Sequence, residues 1–291
     1  MGLNTTFMYV ALGEKFTYHL QTIFSLLSIV KFKSDPTKYV VYTDHPEYYK
    51  WLSPLIEIRE IDTPTFEKWI GPTQYFYRTK IKAMQDAASK DDGHLVFLDS
   101  DTMVIRDLTS LIEQLSAGQN SLHVKEMLMS DRNITNEHKR MWKIIQKTEI
   151  NHILMDESIR MWNSGIIALN HQDKINLLDE VLLFNDTLCE QNIVCRVKEQ
   201  FAFSVVLEKH GNLKVADAWI LHYWGNKEEW HQKILAYICP QLLAGMTPEE
   251  VASSIDLKEW TKIPYHRHVS SFKKQLLKFS ANKKDRILTI E

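Results

Sequence analysis

The sequence predicts an α/β fold, with a mainly parallel β-sheet flanked by helices and a helical C-terminal extension. Three observations support this prediction. Short apolar segments alternate with stretches of helical periodicity, which is typical of strand–helix–strand units. One apolar segment holds four consecutive hydrophobic residues, as strands buried on both faces do. The composition, 44% hydrophobic and 25% charged, is that of an ordinary globular protein.

Seven apolar segments are interpreted as strands. They cover residues 7–12, 39–43, 56–61, 95–101, 121–124, 164–169 and 219–222. Residues 16–30 are a predicted helix whose apolar face is made by Leu20, Ile23, Phe24 and Leu27. Residues 77–88 are a second predicted helix, with an apolar stripe made by Tyr77, Ile81, Met84 and Ala88. The basic residues assigned outside that stripe are Arg78, Lys80 and Lys82.

Two parts of the chain depart from this alternation. Residues 126–160 are rich in Met, Asn and charge, show no clear strand, and are predicted to be helical. After about residue 228 the pattern is helical or irregular, and from Arg267 it becomes basic. We therefore divide the chain into a main domain, residues 1–235, and a helical, basic C-terminal extension, residues 236–291.

Composition excludes several classes of protein. Gly (9) and Pro (8) are too few for a collagen-like or largely disordered chain. The formal net charge is −2, so no overall basic field favours nucleic acid. The three cysteines form no C-x-x-C pair, which is typical of reduced cytosolic thiols. No secretory signal is recognised, and no apolar segment reaches the about 20 residues of a membrane span. We therefore expect a cytoplasmic protein.

The clearest chemical signal is the apolar strand that ends in Asp99-Ser100-Asp101. In open α/β sheets, ligands bind just beyond the carboxyl ends of strands. Side chains two apart on a strand point the same way, so Asp99 and Asp101 converge if the strand geometry continues. Two adjacent carboxylates are good ligands for Mg²⁺ or Mn²⁺ carrying a phosphate. The alternative is a pair of ordinary turn residues, because Asp is common at strand ends.

Five segments between residue 7 and about residue 227 follow one another in the order found in a known protein family. They are residues 7–18 with the helix after them, Tyr77-Arg78 with the D-x-D strand, Trp162-Asn163-Ser164-Gly165, Glu199-Gln200, and His222-Tyr-Trp-Gly225-Asn-Lys227. Together they resemble the GT-A nucleotide-sugar glycosyltransferases, and within them glycosyltransferase family 8. Lys227 lies one position closer to Gly225 than in the family pattern.

The resemblance implies a set of site residues. Asp99, Asp101 and His222 would hold Mn²⁺ or Mg²⁺. The donor would be bound by Ala11, Leu12, Gly13, Tyr18, Arg78, Asp99, Ser100, Asn163, Ser164, Gly165, Gly225 and Lys227. Glu199 and Gln200 would face the anomeric carbon and stabilise an oxocarbenium-like transition state.

Several of these residues have a chemical reason for their role and an ordinary alternative. Gly165 would let a ligand approach the backbone, and Asn163 and Ser164 would bond sugar hydroxyls, although the same three residues could form a turn. Arg78 would be a bidentate phosphate or sugar donor, or would lie on a solvated helix face. His222 would be a ligand, or a packed and hydrogen-bonded residue.

We expect a glycosyltransferase that transfers a hexose from a nucleotide-diphosphate sugar, UDP-linked, to a saccharide or lipid-linked acceptor, with retention of configuration. Residues 126–160 are the expected acceptor side. Two alternatives stay open. A haloacid-dehalogenase-type phosphohydrolase also has a D-x-D after an apolar strand, although Met103 departs from its pattern. A sugar-nucleotide or glycan-binding protein without turnover is the other.

The C-terminal segment predicts a membrane contact. From Arg267 to Arg286 it carries a formal charge of +6, against −8 for the rest of the chain. Phe272, Leu276 and Phe279 recur at helical spacing. A basic amphipathic helix would bind an anionic membrane peripherally, at the inner face. The alternative is a helix packed on the domain with a solvated basic face.

Overall fold

A computed structural model describes residues 4–32 and 37–266. Its strands are β1 (Thr5–Ala11), β2 (Thr37–Thr43), β3 (Glu57–Glu60), β4 (His94–Leu98), β5 (Thr102–Val104), β6 (Asn120–Leu122), β7 (Lys125–Leu128), β8 (Glu149–Ile150), β9 (Ile153–Leu154), β10 (Arg160–Trp162), β11 (Ile166–Leu169), β12 (Leu213–Val215) and β13 (Ile220–His222). Its α-helices are α1 (Phe16–Val30), α2 (Thr63–Ile70), α3 (Arg78–Lys90), α4 (Thr109–Ser116), α5 (Asn136–Ile145), α6 (Lys174–Glu190), α7 (Lys198–His210), α8 (Lys227–Leu243), α9 (Pro248–Ser253) and α10 (Leu257–Trp260). A 3₁₀ helix covers Pro46–Leu52.

Within these residues, seven strands form one mostly parallel sheet in the order β12-β6-β11-β4-β1-β2-β3. β1 pairs in parallel with both β2 and β4, whereas β11 runs antiparallel to β4 and β6. Three small ribbons lie outside this sheet: β5 with β13, β7 with β10, and β8 with β9. The predicted fold class, a mainly parallel sheet flanked by helices with a helical C-terminal extension, is therefore confirmed.

Helices cover both faces of the sheet. On β1, Phe7 and Tyr9 pack in the core that contains α1, α8 and α9. Met8, between them, points to the other core, which contains α3, α6 and α7. On β4, Val96 packs in the first of these cores and Phe97 in the second. Because neighbouring strand residues point to opposite faces, the apolar runs in the sequence supply both cores at once.

Some predicted elements need correction. The helix predicted at residues 16–30 is α1, but the strand predicted at 95–101 ends at Leu98 and is followed by a turn. The segment predicted at 219–222 is β13, which pairs with β5 and not with the main sheet. Residues 126–160 contain α5, as expected, but also strand residues of β7, β8, β9 and β10. These strands are two to four residues long, too short to show an alternating pattern.

The C-terminal extension shares the core of the main domain. The division placed between residues 235 and 236 falls inside α8, where Ile234 and Ile238 pack in the same core as Phe24 of α1. The two-part division of the chain stays a prediction. The basic segment from Arg267 to Arg286 lies outside the described residues. Among the helices of residues 4–32 and 37–266, none is both long enough and apolar enough to cross a membrane.

A chain of buried hydroxyls joins α1 to the turn after β4. The Thr102 hydroxyl donates to the Asp99 carbonyl oxygen at 2.8 Å, so its oxygen accepts from Ser25, 2.7 Å away. Ser25 has then used its proton, and its oxygen accepts from the Tyr9 hydroxyl at 2.9 Å. The helix thus fixes the backbone of Asp99 through side chains far apart in sequence.

Ser25→Ala is expected to lower the free energy of unfolding by about 1–3 kcal/mol, because it leaves the buried Tyr9 hydroxyl without its acceptor. Adding Tyr9→Phe should recover part of that loss, because both partners are then apolar. Urea denaturation measures both changes. Ser89→Ala, on the exposed side of α3, is the control and should change stability by less than about 0.5 kcal/mol. Equal stability of Ser25→Ala and the wild type would contradict the role given to this chain of hydroxyls.

Candidate functional site

The candidate site lies at the carboxyl ends of β1 and β4, which are adjacent parallel strands. From this pair the sheet extends through β2 and β3 on one side and through β11, β6 and β12 on the other. The connections from these two strands therefore run in opposite directions along the sheet. Such a switch point leaves a crevice in which open α/β proteins bind ligands. A cavity of about 260 Å³ opens at this point.

The cavity walls combine predicted site residues with others that the sequence analysis did not assign. The predicted residues in the walls are Ala11, Leu12, Tyr18, Asp99, Ser100, Asp101 and Lys227. Among the unassigned ones are Phe76, Tyr77 and Lys80. The cavity therefore has apolar and aromatic surfaces from β1 and the start of α3, and charged groups at the end of β4.

A turn, and not a continuing strand, brings the two aspartates of the D-x-D together. β4 ends at Leu98, and Asp99 to Asp101 form the connection to β5. The Asp99 N–H donates to the Gly165 carbonyl oxygen at 2.8 Å, which ties the turn to the residue before β11. The Asp99 side chain is 35% exposed, whereas that of Asp101 is 3% exposed. The expectation that strand geometry aligns these carboxylates is wrong, but the carboxylates do converge.

His222 completes the cluster from the end of β13. Its Nδ1 lies 2.9 Å from Asn163 Oδ1, an amide oxygen that can only accept, so Nδ1 carries the proton. In the neutral imidazole, Nε2 then presents its lone pair 3.4 Å from Asp101 Oδ1 and 3.9 Å from Asp99 Oδ2. One ligand atom each from Asp99, Asp101 and His222 lies within 4.8 Å of the other two.

The donor set fits a divalent cation. Two carboxylates and one imidazole nitrogen suit Mn²⁺, and the carboxylates alone suit Mg²⁺. Asp101 Oδ2 is buried and accepts no hydrogen bond of normal geometry from the described residues, although the Lys227 ammonium lies 2.7 Å away. Burial raises the pKa of Asp101, but His222, when it is protonated, and Lys227 outweigh this and hold the pKa below its ordinary value. The carboxylate is therefore ionised at neutral pH, as a ligand must be.

Two glycines make room for histidines of the chain itself. A Cβ on Gly165 would lie 2.2 Å from Cε1 of the His222 ring. A Cβ on Gly225 would lie 2.3 Å from Cδ2 of His266, whose backbone bridges Gly225. The expected reason for Gly165, close approach of a ligand to the backbone, is therefore replaced by close approach of the imidazole. Gly225 lies against His266 in the same way, and neither glycine is in the cavity walls.

The basic residues of α3 are arranged differently from the prediction. The Arg78 guanidinium donates to both carboxylate oxygens of Asp186, at 2.8 and 2.9 Å, and to the Trp69 carbonyl oxygen. It is not in the cavity walls, so this geometry does not favour the predicted donor contact. Lys80 Nζ is the cation that reaches the site, 3.3 Å from Asp99 Oδ1. Lys80 lies three residues after Tyr77 and four before Met84, a spacing that places it on the buried face of α3.

The loop after β1 is held by charged and polar side chains from neighbouring elements. Gly13 adopts a φ of +89°, which favours glycine. Its N–H donates to the Asp44 carboxylate at 2.9 and 3.0 Å, and its carbonyl oxygen accepts from His19 Nε2 at 2.7 Å. Burial lowers the pKa of His19, although the contact with the Gly13 carbonyl oxygen opposes this. Gly13 therefore shapes the loop beside Ala11 and Leu12 and lies outside the cavity walls.

Glu199 is a buried acid in the first turn of α7. Its Oε2 lies 2.9 Å from the Tyr75 hydroxyl, and that hydroxyl also lies 2.8 Å from the Arg196 carbonyl oxygen. Tyr75 has one proton for these two acceptors, so both contacts are satisfied only when Glu199 is protonated and donates. Burial raises the pKa of Glu199, and the charge of Lys80 opposes the rise without cancelling it.

Gln200 and Asn163 are joined through Glu126, a residue to which the sequence analysis gave no role of its own. Gln200 Nε2 donates to Glu126 Oε2 at 3.1 Å, and Asn163 Nδ2 donates to Glu126 Oε1 at 3.0 Å. Asn163 Oδ1 accepts from His222 and from the Gly165 N–H. Asn163 is buried with both ends of its amide bonded inside the protein, so it orients His222 and is not free to bond sugar hydroxyls as predicted.

Ser164 also differs from its prediction, since it binds a side chain of the protein. Its carbonyl oxygen and hydroxyl oxygen lie 2.7 and 3.3 Å from Lys80 Nζ. The sequence around Glu126 and Ser164 does not predict these contacts, because each contact depends on a partner at least 37 residues away.

Comparison with known proteins supports the fold. No protein-family model and no curated protein sequence matches the chain. Among solved structures, it is similar to mouse xyloside xylosyltransferase 1 in its apo form. The TM-score is 0.50 and the sequence identity 13%, over 81% of this chain and 93% of the mouse chain. The likeness shows that the chain shares the α/β fold of a GT-A glycosyltransferase.

Glu199→Gln is expected to change how stability depends on pH. A carboxyl group with a raised pKa in the folded state contributes stability that is complete below its unfolded pKa of about 4.3 and is lost as pH rises through the folded pKa. The wild type should therefore lose stability relative to Glu199→Gln as pH rises above the unfolded pKa of about 4.3. Urea unfolding across this range measures the difference. Glu190→Gln, at the exposed end of α6, should follow the wild type, and parallel curves for Glu199→Gln and the wild type would contradict the assignment.

Proposed function

We propose that this protein is a metal-dependent glycosyltransferase. It transfers a hexose from a nucleotide-diphosphate sugar, with UDP as the nucleotide, to a saccharide or lipid-linked acceptor. The observation that carries the proposal is the convergence of Asp99, Asp101 and His222 beside a cavity at the point where the strand order reverses. The fold shared with a glycosyltransferase supports it.

The charged residues of the cavity have complementary roles toward a diphosphate. A divalent ion held by Asp99, Asp101 and His222 would act as a Lewis acid that neutralises negative charge on the leaving diphosphate. The Lys227 ammonium beside Asp101 would bind phosphate oxygens directly, and the buried Lys80 ammonium beside Asp99 would add positive charge to the site. In the complex with the donor, these groups would stabilise the negative charge that develops on the leaving diphosphate.

The sugar would lie toward α7. Gln200 has its amide nitrogen bonded to Glu126, so its amide oxygen is the end available to a ligand. An oxygen dipole near the anomeric carbon would stabilise the positive charge that develops there. Glu199 is held by Tyr75 in the same turn of α7 and would be the second group of this centre. Tyr18, 39% exposed in the cavity wall, offers a ring face for the nucleotide base.

Asp101→Asn is expected to weaken Mn²⁺-dependent UDP binding by at least about tenfold, because it removes one charged ligand with little change in volume. Isothermal titration with UDP, with and without Mn²⁺, measures the loss. Asp107→Asn is the matched control, since this exposed carboxylate accepts a local hydrogen bond from the Thr109 N–H. Equal Mn²⁺-dependent affinity in Asp101→Asn and the wild type would exclude the metal assignment.

Retention of configuration is the expected stereochemical outcome, because Glu199 and Gln200 would face the sugar in the proposed site and no residue is assigned as a base for the acceptor. NMR of the first product formed from α-linked UDP-hexoses and UDP-xylose with Mn²⁺ decides this. An α-linked product supports the proposal, and a β-linked product contradicts it. Phosphate release from phosphomonoesters would favour the phosphohydrolase instead, and donor binding without cleavage would favour a binding protein.

A further inference from the structure

The candidate site contains two cations that belong to the chain itself. Asp99 is paired with Lys80 at 3.3 Å, and Asp101 is paired with Lys227 at 2.7 Å. Two carboxylates and two ammonium groups give this cluster a formal charge of zero. A divalent ion that enters alone therefore adds two positive charges to a site that is already balanced.

The two lysines are held very differently. Lys80 is buried, donates to Ser164 and lies 4.4 Å from the centre of the Phe97 ring, so it has fixed partners besides Asp99. Lys227 is the first residue of α8, and its side chain is 46% exposed. In the described part of the chain, its recorded ion pair is the one with Asp101. Lys227 can therefore leave Asp101 by side-chain rotation alone, whereas Lys80 cannot leave Asp99 without breaking buried contacts.

Charge balance explains why Lys227 would move. The Lys227 ammonium carries a positive charge at neutral pH and can pair with a carboxylate or with a phosphate. An ion that uses Asp101 as a ligand competes with this ammonium for the same carboxylate. A nucleoside diphosphate bound with the ion brings more negative than positive charge and supplies phosphate oxygens as new partners for Lys227.

We propose that Lys227 is an exchangeable counter-cation, which occupies Asp101 when the site holds no ion and transfers to the diphosphate when ion and nucleotide enter together. The inference rests on the proposed function, because it takes a nucleoside diphosphate as the ligand. It makes metal and nucleotide binding strongly cooperative. The free ion must displace Lys227 without compensation, whereas the ion with its nucleotide gives Lys227 a partner. By linkage, each ligand then raises the affinity of the other by the same factor.

The test measures Mn²⁺ binding by electron paramagnetic resonance, without and with UDP, in the wild type and in Lys227→Met. Lys227→Met is expected to bind free Mn²⁺ about tenfold more tightly, because a positive charge next to a ligand is gone. UDP should then raise its Mn²⁺ affinity by a factor about tenfold smaller than in the wild type. Lys227→Arg keeps the charge and should keep the wild-type order of affinities.

Lys90→Met is the matched control, because Lys90 forms a 2.7 Å ion pair with Asp86 on the far part of α3 and its loss changes the net charge equally. It should behave as the wild type. Lys227→Gln replaces Lys227→Met if the latter lacks the circular dichroism spectrum of the wild type. The proposal is overturned if the neutral variants bind free Mn²⁺ as tightly as the wild type or more weakly. It is also overturned if neither the wild type nor the neutral variants bind Mn²⁺. If the wild type binds Mn²⁺ but not UDP, the proposed function is wrong. The Mn²⁺ affinities of Lys227→Met and the wild type without UDP then still test whether Lys227 competes with the ion.

Discussion

The site depends on one electrostatic constraint, which is to hold the carboxylates of Asp99 and Asp101 within reach of a common partner. Their ligand atoms and that of His222 lie within 4.8 Å of one another. Two like charges at such a distance repel by about 1–3 kcal/mol, depending on the local dielectric. Lys80 and Lys227 each neutralise one of them. Groups of the chain itself therefore balance the two carboxylates, and any ion must compete with these groups.

Hydrogen bonds from distant segments hold this arrangement in place. On one side, hydroxyls of β1 and α1 reach the Asp99 backbone through Thr102. On the other, Asn163 sets the orientation of His222 and is itself held by Glu126. Because these groups are buried, removing one partner leaves another unsatisfied, and the site geometry is coupled to the stability of the fold.

The sequence predicted the fold class and the three residues that converge at the end of β4, but it misplaced their neighbours. Arg78 was expected at the donor, yet its guanidinium is bound by Asp186, which is 108 residues away. Lys80 takes the position beside Asp99 because it lies on the buried face of α3. Glu126 could not be found at all, since neither its spacing nor its surroundings in the sequence mark the two amides that it binds.

By itself, the sequence determined what local patterns can encode. The apolar runs specify strands buried on both faces, the periodicity of α1 specifies its helix, and an apolar strand followed by D-x-D specifies where charge gathers. Only the tertiary structure decided which partners these charges have. A turn, not strand periodicity, joins Asp99 to Asp101, and Gly165 and Gly225 accommodate histidines rather than a ligand. The physical reason is that ion pairs and close packing depend on distances in space, and chain topology sets these distances through residues far apart in sequence.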